Sequence, residues 1–160
     1  MQTEVEKKYY REMIKKFGGL SRLFSESDTP FLQYRLAENL FCKSFSAQNL
    51  SRLDCSSDAK KGTVGIGIKT FLKQPLQKIA EFNRAGEEIR LLEKTPKKLI
   101  LKVAQLRNGR LDVTRRAHGL DSLVYHCITR SVGECKLLET DMSNINIDGI
   151  SDVKKRKNVI

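Results

Sequence analysis

Between Leu53 and Phe71 the chain reads LDCSSDAKKGTVGIGIKTF, and it gathers residue types that can act on a phosphate: Asp54 and Asp58 as oxygen donors, Lys69 as a cation. Val64, Ile66, Ile68 and Thr70 alternate with Gly65, Gly67, Lys69 and Phe71, which predicts a strand with one apolar side and one side carrying the lysine. Gly62 followed by Thr63 suits a two-residue type II′ turn, and that turn sets Asp58 opposite Gly67, as a diagonal neighbour of Lys69 on the same face. A turn at Lys61-Gly62 instead sets Asp58 opposite Gly65 and Asp54 opposite Lys69. Either register puts an aspartate and Lys69 on one face.

Cutting a phosphodiester bond requires a hard cation to carry charge, carboxylates to hold it, and often an ammonium group to steady hydroxide or the pentacovalent phosphate. Mg²⁺ is the expected ion, with Mn²⁺ as a substitute. Asp58, Glu81 and Glu38 are the candidate carboxylates, Asp54 is the alternative aspartate of the shifted register, and Lys69 is the candidate cation. The carbonyl of Ile68 can add an oxygen ligand. Glu38 falls at helical spacing among Phe31, Tyr34, Phe41 and Phe45, where a carboxylate is costly unless paired, metal-bound or able to reach the rim. A pairing of Glu38 with Arg35 or Lys43 is the plainer account. Gly65 and Gly67 leave room for a sugar-phosphate backbone, and Lys60, Lys61, Lys73 and Arg84 lie close enough in sequence to line its approach. The alternative for the hairpin as a whole is an Asp58–Lys69 pair on a solvated surface.

These residues need elements to hold them. Thr3 with Glu6 fits a capping box, and Val5, Tyr9, Met13 and Phe17 predict an amphipathic helix that ends at Gly18-Gly19. A second helix is expected from Pro30 to about Phe45, with Leu32, Leu36 and Leu40 in one apolar row. After the hairpin, Pro75 is expected to open a third helix through Phe82, which carries Glu81; Gly86 precedes a further piece over 87–94, and Thr95-Pro96 opens another that ends near Gly109. A short helical piece over 111–117, a strand over 122–130 and a partner strand over 135–139 complete the pattern. The expected fold is α/β: a small mixed sheet centred on the hairpin, flanked by helices on both faces.

Composition sets the outer bounds. A chain of 160 residues is long enough for one domain with its own core, and the expectation is a single domain over residues 1–160. Thirty Lys plus Arg against nineteen Asp plus Glu give a net charge of +11, which suits a polyanionic partner such as nucleic acid. No apolar run approaches the roughly 20 residues of a membrane span, and the first residues lack a secretory apolar core, so a cytoplasmic protein with reduced cysteines is expected. Cys127 and Cys135 with His118 and His126 lack the paired spacing of a zinc site and read as buried strand residues. Cys42 and Cys55 have no histidine nearby to make a nucleophile, and Gly65-Ile66-Gly67 lacks the third glycine of a phosphate-binding loop. The final KKRKNVI starts like another basic strand and stops abruptly, which suggests a chain cut short at its C-terminus.

The order of a helix with Glu38, a hairpin with Asp58, the Gly67-Ile68-Lys69 segment and a helix with Glu81 resembles the core of PD-(D/E)XK nucleases, type II restriction endonucleases in particular. The phrases RLAENLFCKSF and VGIGIKTF are similar to restriction-endonuclease sequence as well. The resemblance covers about residues 31–83. It implies that Asp58 matches the motif aspartate, Lys69 the motif lysine and Glu38 the acidic residue of the first helix. Where the motif has Glu or Asp, two residues before the lysine, this chain has Gly67; Glu81 stands where a subgroup of these enzymes carries a migrated glutamate. A restriction-endonuclease-like core, Mg²⁺-dependent cleavage of double-stranded DNA and action as a homodimer are what the resemblance implies. A DNA-binding remnant that has lost its chemistry, and a repair or junction-resolving nuclease, are the competing readings.

Overall fold

A computed structural model describes residues 3–72, 86–92 and 94–153. The expected helix from Pro75, with Glu81, and the expected basic strand at the C-terminus lie outside these residues, as do Lys73 and Arg84. The described elements are α1 (Glu4–Leu20), a 3-10 turn (Ser21–Leu23), α2 (Tyr34–Ser44), β1 (Gln48–Asn49), β2 (Ala59–Lys61), β3 (Val64–Leu72), α3 (Gly86–Leu92), α4 (Pro96–His118), β4 (Ser122–Ser131) and β5 (Glu134–Asp141). The fold is mixed α/β. Its chain contacts divide it into two compact units, residues 1–76 with 114–143 and residues 77–113 with 144–160. Among the described residues no helix is long and apolar enough to cross a membrane.

The first unit holds a five-stranded sheet in the order β1-β2-β3-β4-β5. All neighbours are antiparallel except β3 and β4, which run parallel and are therefore joined by a long crossover. The hairpin register is Ala59↔Ile66, Lys60↔Gly65 and Lys61↔Val64, so the turn is Gly62-Thr63, the first of the two registers the sequence allows. Gly62 has φ +60° while Thr63 does not take positive φ, the pattern of the type II′ turn. The strand before the turn is shorter than the sequence suggests, because residues 51–56 form turns and bends instead.

Both reciprocal bonds of the α1 capping box form, from Glu6 N to Thr3 Oγ1 and from Thr3 N to Glu6 Oε2. The helix continues through both glycines to Leu20, and its buried face is Tyr10, Ile14 and Gly18, with Met13 and Phe17 partly covered. Val5 and Tyr9, expected on the apolar row, are exposed. A strict four-residue repeat drifts around a helix of 3.6 residues per turn, and packing selects the i, i+3, i+4, i+7, i+8 stripe instead. The second helix begins at Tyr34, not Pro30, since long-range bonds hold the preceding chain extended: Arg130 donates to the Pro30 carbonyl and Phe31 N donates to Ser21 Oγ. At its far end Ala47 N bonds the Cys42 carbonyl, with Ser46 in the left-handed region at φ 48°.

The core lies between these two helices and one face of the sheet. Tyr10 and Ile14 of α1 and Ala37, Leu40, Phe41 and Phe45 of this layer meet Ala59, Ile66, Ile68 and Ile128. The rings of Tyr10, Phe41 and Phe45 pack at centroid distances of 4.7–5.8 Å, each contributing on the order of 2 kcal/mol through buried area. On the opposite face, Gly65 and Gly67 are closed in by neighbours. A Cβ at Gly65 would stand 2.6 Å from Leu123 and Ser57 and 2.7 Å from Leu120; one at Gly67 would stand 2.4 Å from the Met142 Cε and 3.3 Å from the Tyr125 ring. The glycines therefore serve close internal packing, and the room expected there for a sugar-phosphate backbone is filled.

α4, which belongs to the second unit up to Val113, runs unbroken through Gly109, so the two helical pieces expected on either side of it are one helix. Gly109 is exposed, and a single exposed glycine costs about 1 kcal/mol against alanine, too little to break a 23-residue helix. Asn108 ties this helix to the chain after β5 through reciprocal bonds with the Ile145 backbone.

Candidate active site

The hairpin ends in a short polar cluster. Asp58 immediately precedes β2, and its backbone N–H bonds the carbonyl of Ile66, the residue already paired with Ala59, so the strand bulges at Asp58. Its side chain turns toward β3, where Oδ2 accepts from the Ile68 backbone N–H at 2.7 Å and from Lys69 Nζ at 2.9 Å. Both side chains remain partly open to solvent, Asp58 at 19% and Lys69 at 27%. In an extended strand the N–H and C=O of one residue leave by the same edge. The Ile68 carbonyl therefore points past the end of β2, beside Asp58.

Glu38 enters from α2. Its residue is only 4% exposed, and Oε2 accepts from Arg35 at 3.1 Å, one helical turn earlier; the same guanidinium nitrogen donates to the Ser51 carbonyl at 2.6 Å. The loop carrying Ser51 is anchored in turn, because Asn49 Oδ1 accepts from Ser51 N and Oγ, and the Asn49 amide donates to Asn39. Burial, and after it the negative charge of Asp58, holds the Glu38 carboxyl above the usual carboxylate range, against the lowering effect of Ser51 and Arg35. Glu38 is thus both the partner of Arg35 and the electrostatic neighbour of Asp58. Cys42, one turn further along α2, has its thiol pushed up to about 11 by burial, with Glu38 and Asp58 adding to the effect; it stays a thiol at neutral pH. The Cys127 thiol, on the rung beside Lys69, is also raised because burial outweighs the Lys69 charge.

Asp58, Lys69, Glu38 and the Ile68 backbone are therefore brought together, while Asp54 lies exposed in the loop before β2. Glu81 is outside the described residues, and among the described residues no cluster of three potential side-chain ligands forms. The expected phosphate contacts have other partners: Lys60 Nζ donates to the His118 carbonyl, and Lys61 pairs with Glu6 at 2.9 Å and lies over the Phe45 ring. Comparison of the chain with protein-family models, curated proteins and solved structures finds no match.

A second polar constellation escaped the reading of the sequence, in which His126 is an ordinary strand residue. Tyr10 Oη lies 3.0 Å from His126 Nε2, and His126 Nδ1 lies 3.0 Å from Glu139 Oε1. Tyr10 is 1% exposed and His126 4%, with the Phe41 ring 4.9 Å from the imidazole. Burial, supported by the Glu139 charge, raises the Tyr10 phenol. These residues come from α1, β4 and β5, and 116 positions separate Tyr10 from His126. The one available signal was a histidine among apolar residues in a strand, which needs a buried partner.

Proposed function

We propose that this protein is a metal-dependent endodeoxyribonuclease that hydrolyses phosphodiester bonds, built on a restriction-endonuclease-like core with Asp58, Glu38 and Lys69 at its centre. The observation that carries the proposal is Asp58 Oδ2 accepting from both Ile68 N–H and Lys69 Nζ, with a second, buried carboxylate close enough to feel its charge. Two carboxylates that repel each other beside an outward-pointing carbonyl suit a hard divalent cation, which neutralises both.

Asp58, Glu38 and the Ile68 carbonyl are the groups that would hold Mg²⁺, with Glu81 as the further candidate from the sequence. When bound, the ion supplies Lewis-acid stabilisation of the phosphate and lowers the pKa of bound water. Lys69, fixed by Asp58, presents its remaining N–H donors on the open side of the pair, where they can orient a water molecule and stabilise negative charge developing on the phosphate. Arg35 keeps Glu38 in place from one side and the Ser51 loop from the other. The net charge of +11 supports a DNA backbone as the partner.

The test is cleavage of linear, plasmid and branched DNA in Mg²⁺ or Mn²⁺ by the native chain, Asp58→Ala and Lys69→Ala. The expected result is metal-dependent cutting that falls at least about a hundredfold in each variant, the scale of removing a preorganised charge-stabilising group. Salt-sensitive DNA binding without cleavage, unaffected by either substitution, would instead identify a DNA-binding module.

A further inference from the structure

Next to this site, one turn before Glu38 on α2, stands an aromatic ring in water. Tyr34 is 55% exposed, and Phe31, just before the helix, is 57% exposed. The Arg35 guanidinium lies 5.3 Å from the centroid of the Tyr34 ring, and Arg35 is the residue that binds Glu38. Positions i and i+4 lie on one side of a helix about 6 Å apart along its axis, so Tyr34 and Glu38 share one side of α2, a turn apart. On the other side of Arg35, the Ser51 loop carries the exposed Arg52 and Leu53.

We infer that Tyr34 is a stacking platform for a nucleobase, and that the strand engaged at this site carries an unpaired base beside the scissile phosphate. The inference rests on the nuclease reading of Asp58 and Lys69 and specifies its substrate. An exposed aromatic ring with a guanidinium against it is the combination that binds single-stranded nucleic acid: the ring takes the base, and the cation takes the phosphate and adds a cation–π contact. A base inside an intact duplex has both faces covered by its neighbours, so it cannot use the ring until it is freed at a flap, gap or loop, or lifted out of the helix. Self-association through the same ring is opposed by charge, because it would bring together two chains of +11 across a surface bearing Arg35 and Arg52. A polyanion is attracted to that surface.

The experiment measures binding in EDTA, so that hydrolysis plays no part. The probes are a DNA duplex with one unpaired 2-aminopurine and the fully paired duplex of the same sequence, tested with the native chain, Tyr34→Ala and Tyr34→Phe. The native chain is expected to bind the unpaired probe at least about fivefold more tightly and to quench its fluorescence, the low end for one stacked base. Tyr34→Ala should lose the preference and the quenching; Tyr34→Phe, which keeps the ring, should retain both. Equal affinity for the two probes, a preference that survives Tyr34→Ala, or a change of Tyr34→Ala in sedimentation mass without loss of the preference would overturn the inference. Loss of the hydrolytic reading registers separately: discrimination without Mg²⁺-dependent cutting keeps Tyr34 as a base platform and removes the nuclease, and cutting without discrimination does the reverse.

Discussion

Two regions of the sheet carry polar groups of the same kinds and treat them in opposite ways. On the helix-covered face, Tyr10, His126 and Glu139 form a chain in which both nitrogens of the buried imidazole have a protein partner, with aromatic rings against it, and only Glu139, 49% exposed, reaches water. At the edge of β2, Asp58 and Lys69 answer each other only in part: both are partly open to solvent, Lys69 has donors to spare, and Asp58 is repelled by Glu38 of the helix layer. Residue type does not separate these clusters, since a Tyr–His–Glu chain has as much chemical potential as an Asp–Lys–Glu set. What separates them is residual demand. A satisfied network with a buried centre specifies packing, whereas one with unbalanced charge has something to gain from a ligand.

The comparison breaks if the buried chain matters to catalysis rather than to stability, and the largest stability effect should come from there. His126→Ala is expected to cost about 3 kcal/mol or more, since it opens a cavity against Phe41 and leaves the Tyr10 hydroxyl buried without its partner. Tyr10→Phe should cost about 1–3 kcal/mol by stranding His126 Nε2 alone. Urea unfolding measures both losses. DNA cleavage per folded molecule should stay at the native level; a specific fall in cutting by Tyr10→Phe, with folding intact, would make the buried chain part of the site.

The same contrast governs what could be read from the sequence. The hairpin register was legible because it is local: Gly62-Thr63 fixes the turn, the turn fixes Ala59 against Ile66, and Asp58 just before it reaches Ile68 and Lys69. The strands β4 and β5 were legible from alternation and Gly133. The start of α2 was not, because what holds Pro30 and Phe31 out of the helix is Arg130, 100 positions away, together with Ser21. The Tyr10–His126 bond is longer-range still. Glu38 was visible as an oddity among aromatics; the fold shows its pair with Arg35 and brings the charge of Asp58 to bear on it.

Gly67 sharpens the comparison, because the resemblance places a metal-binding acid there and the structure places Met142 and Tyr125 in that space. Met142 is buried, so its methyl group has little freedom to withdraw. Gly67→Ala is therefore expected to destabilise by about 1–3 kcal/mol, the usual cost of overpacking, and Gly67→Asp by more. Pairing Gly67→Ala with Met142→Ala should recover part of the loss relative to the sum of the two single changes, measured as a double-mutant cycle in urea. Additive losses would show that Met142 is not what excludes a side chain at this position, and would reopen the space above β3 to a substrate.

The smallest expected effect tests the claim of residual demand directly. The folded protein holds the Glu38 proton more tightly than the unfolded chain, whose value is the ordinary 4.5, because burial and Asp58 both disfavour the carboxylate. Below the ordinary value the group is protonated in both states and contributes no difference. As pH rises from there through the raised folded value, the unfolded state gains the charge first, so this group lowers stability progressively, and the loss is complete above the folded value. Glu38→Gln carries no such charge, and other carboxylates common to both proteins largely cancel in the comparison. The variant should thus gain on the native chain in urea midpoint between pH 4 and pH 7, with EDTA present throughout. Millimolar Mg²⁺ at pH 7 should then narrow the gap, because an ion that binds the folded site stabilises the native chain by mass action and finds one carboxylate fewer in Glu38→Gln. A pH-independent difference between the two proteins would mean that Arg35 alone balances Glu38, and the Asp58–Lys69 cluster would then be as satisfied as the Tyr10–His126 pair.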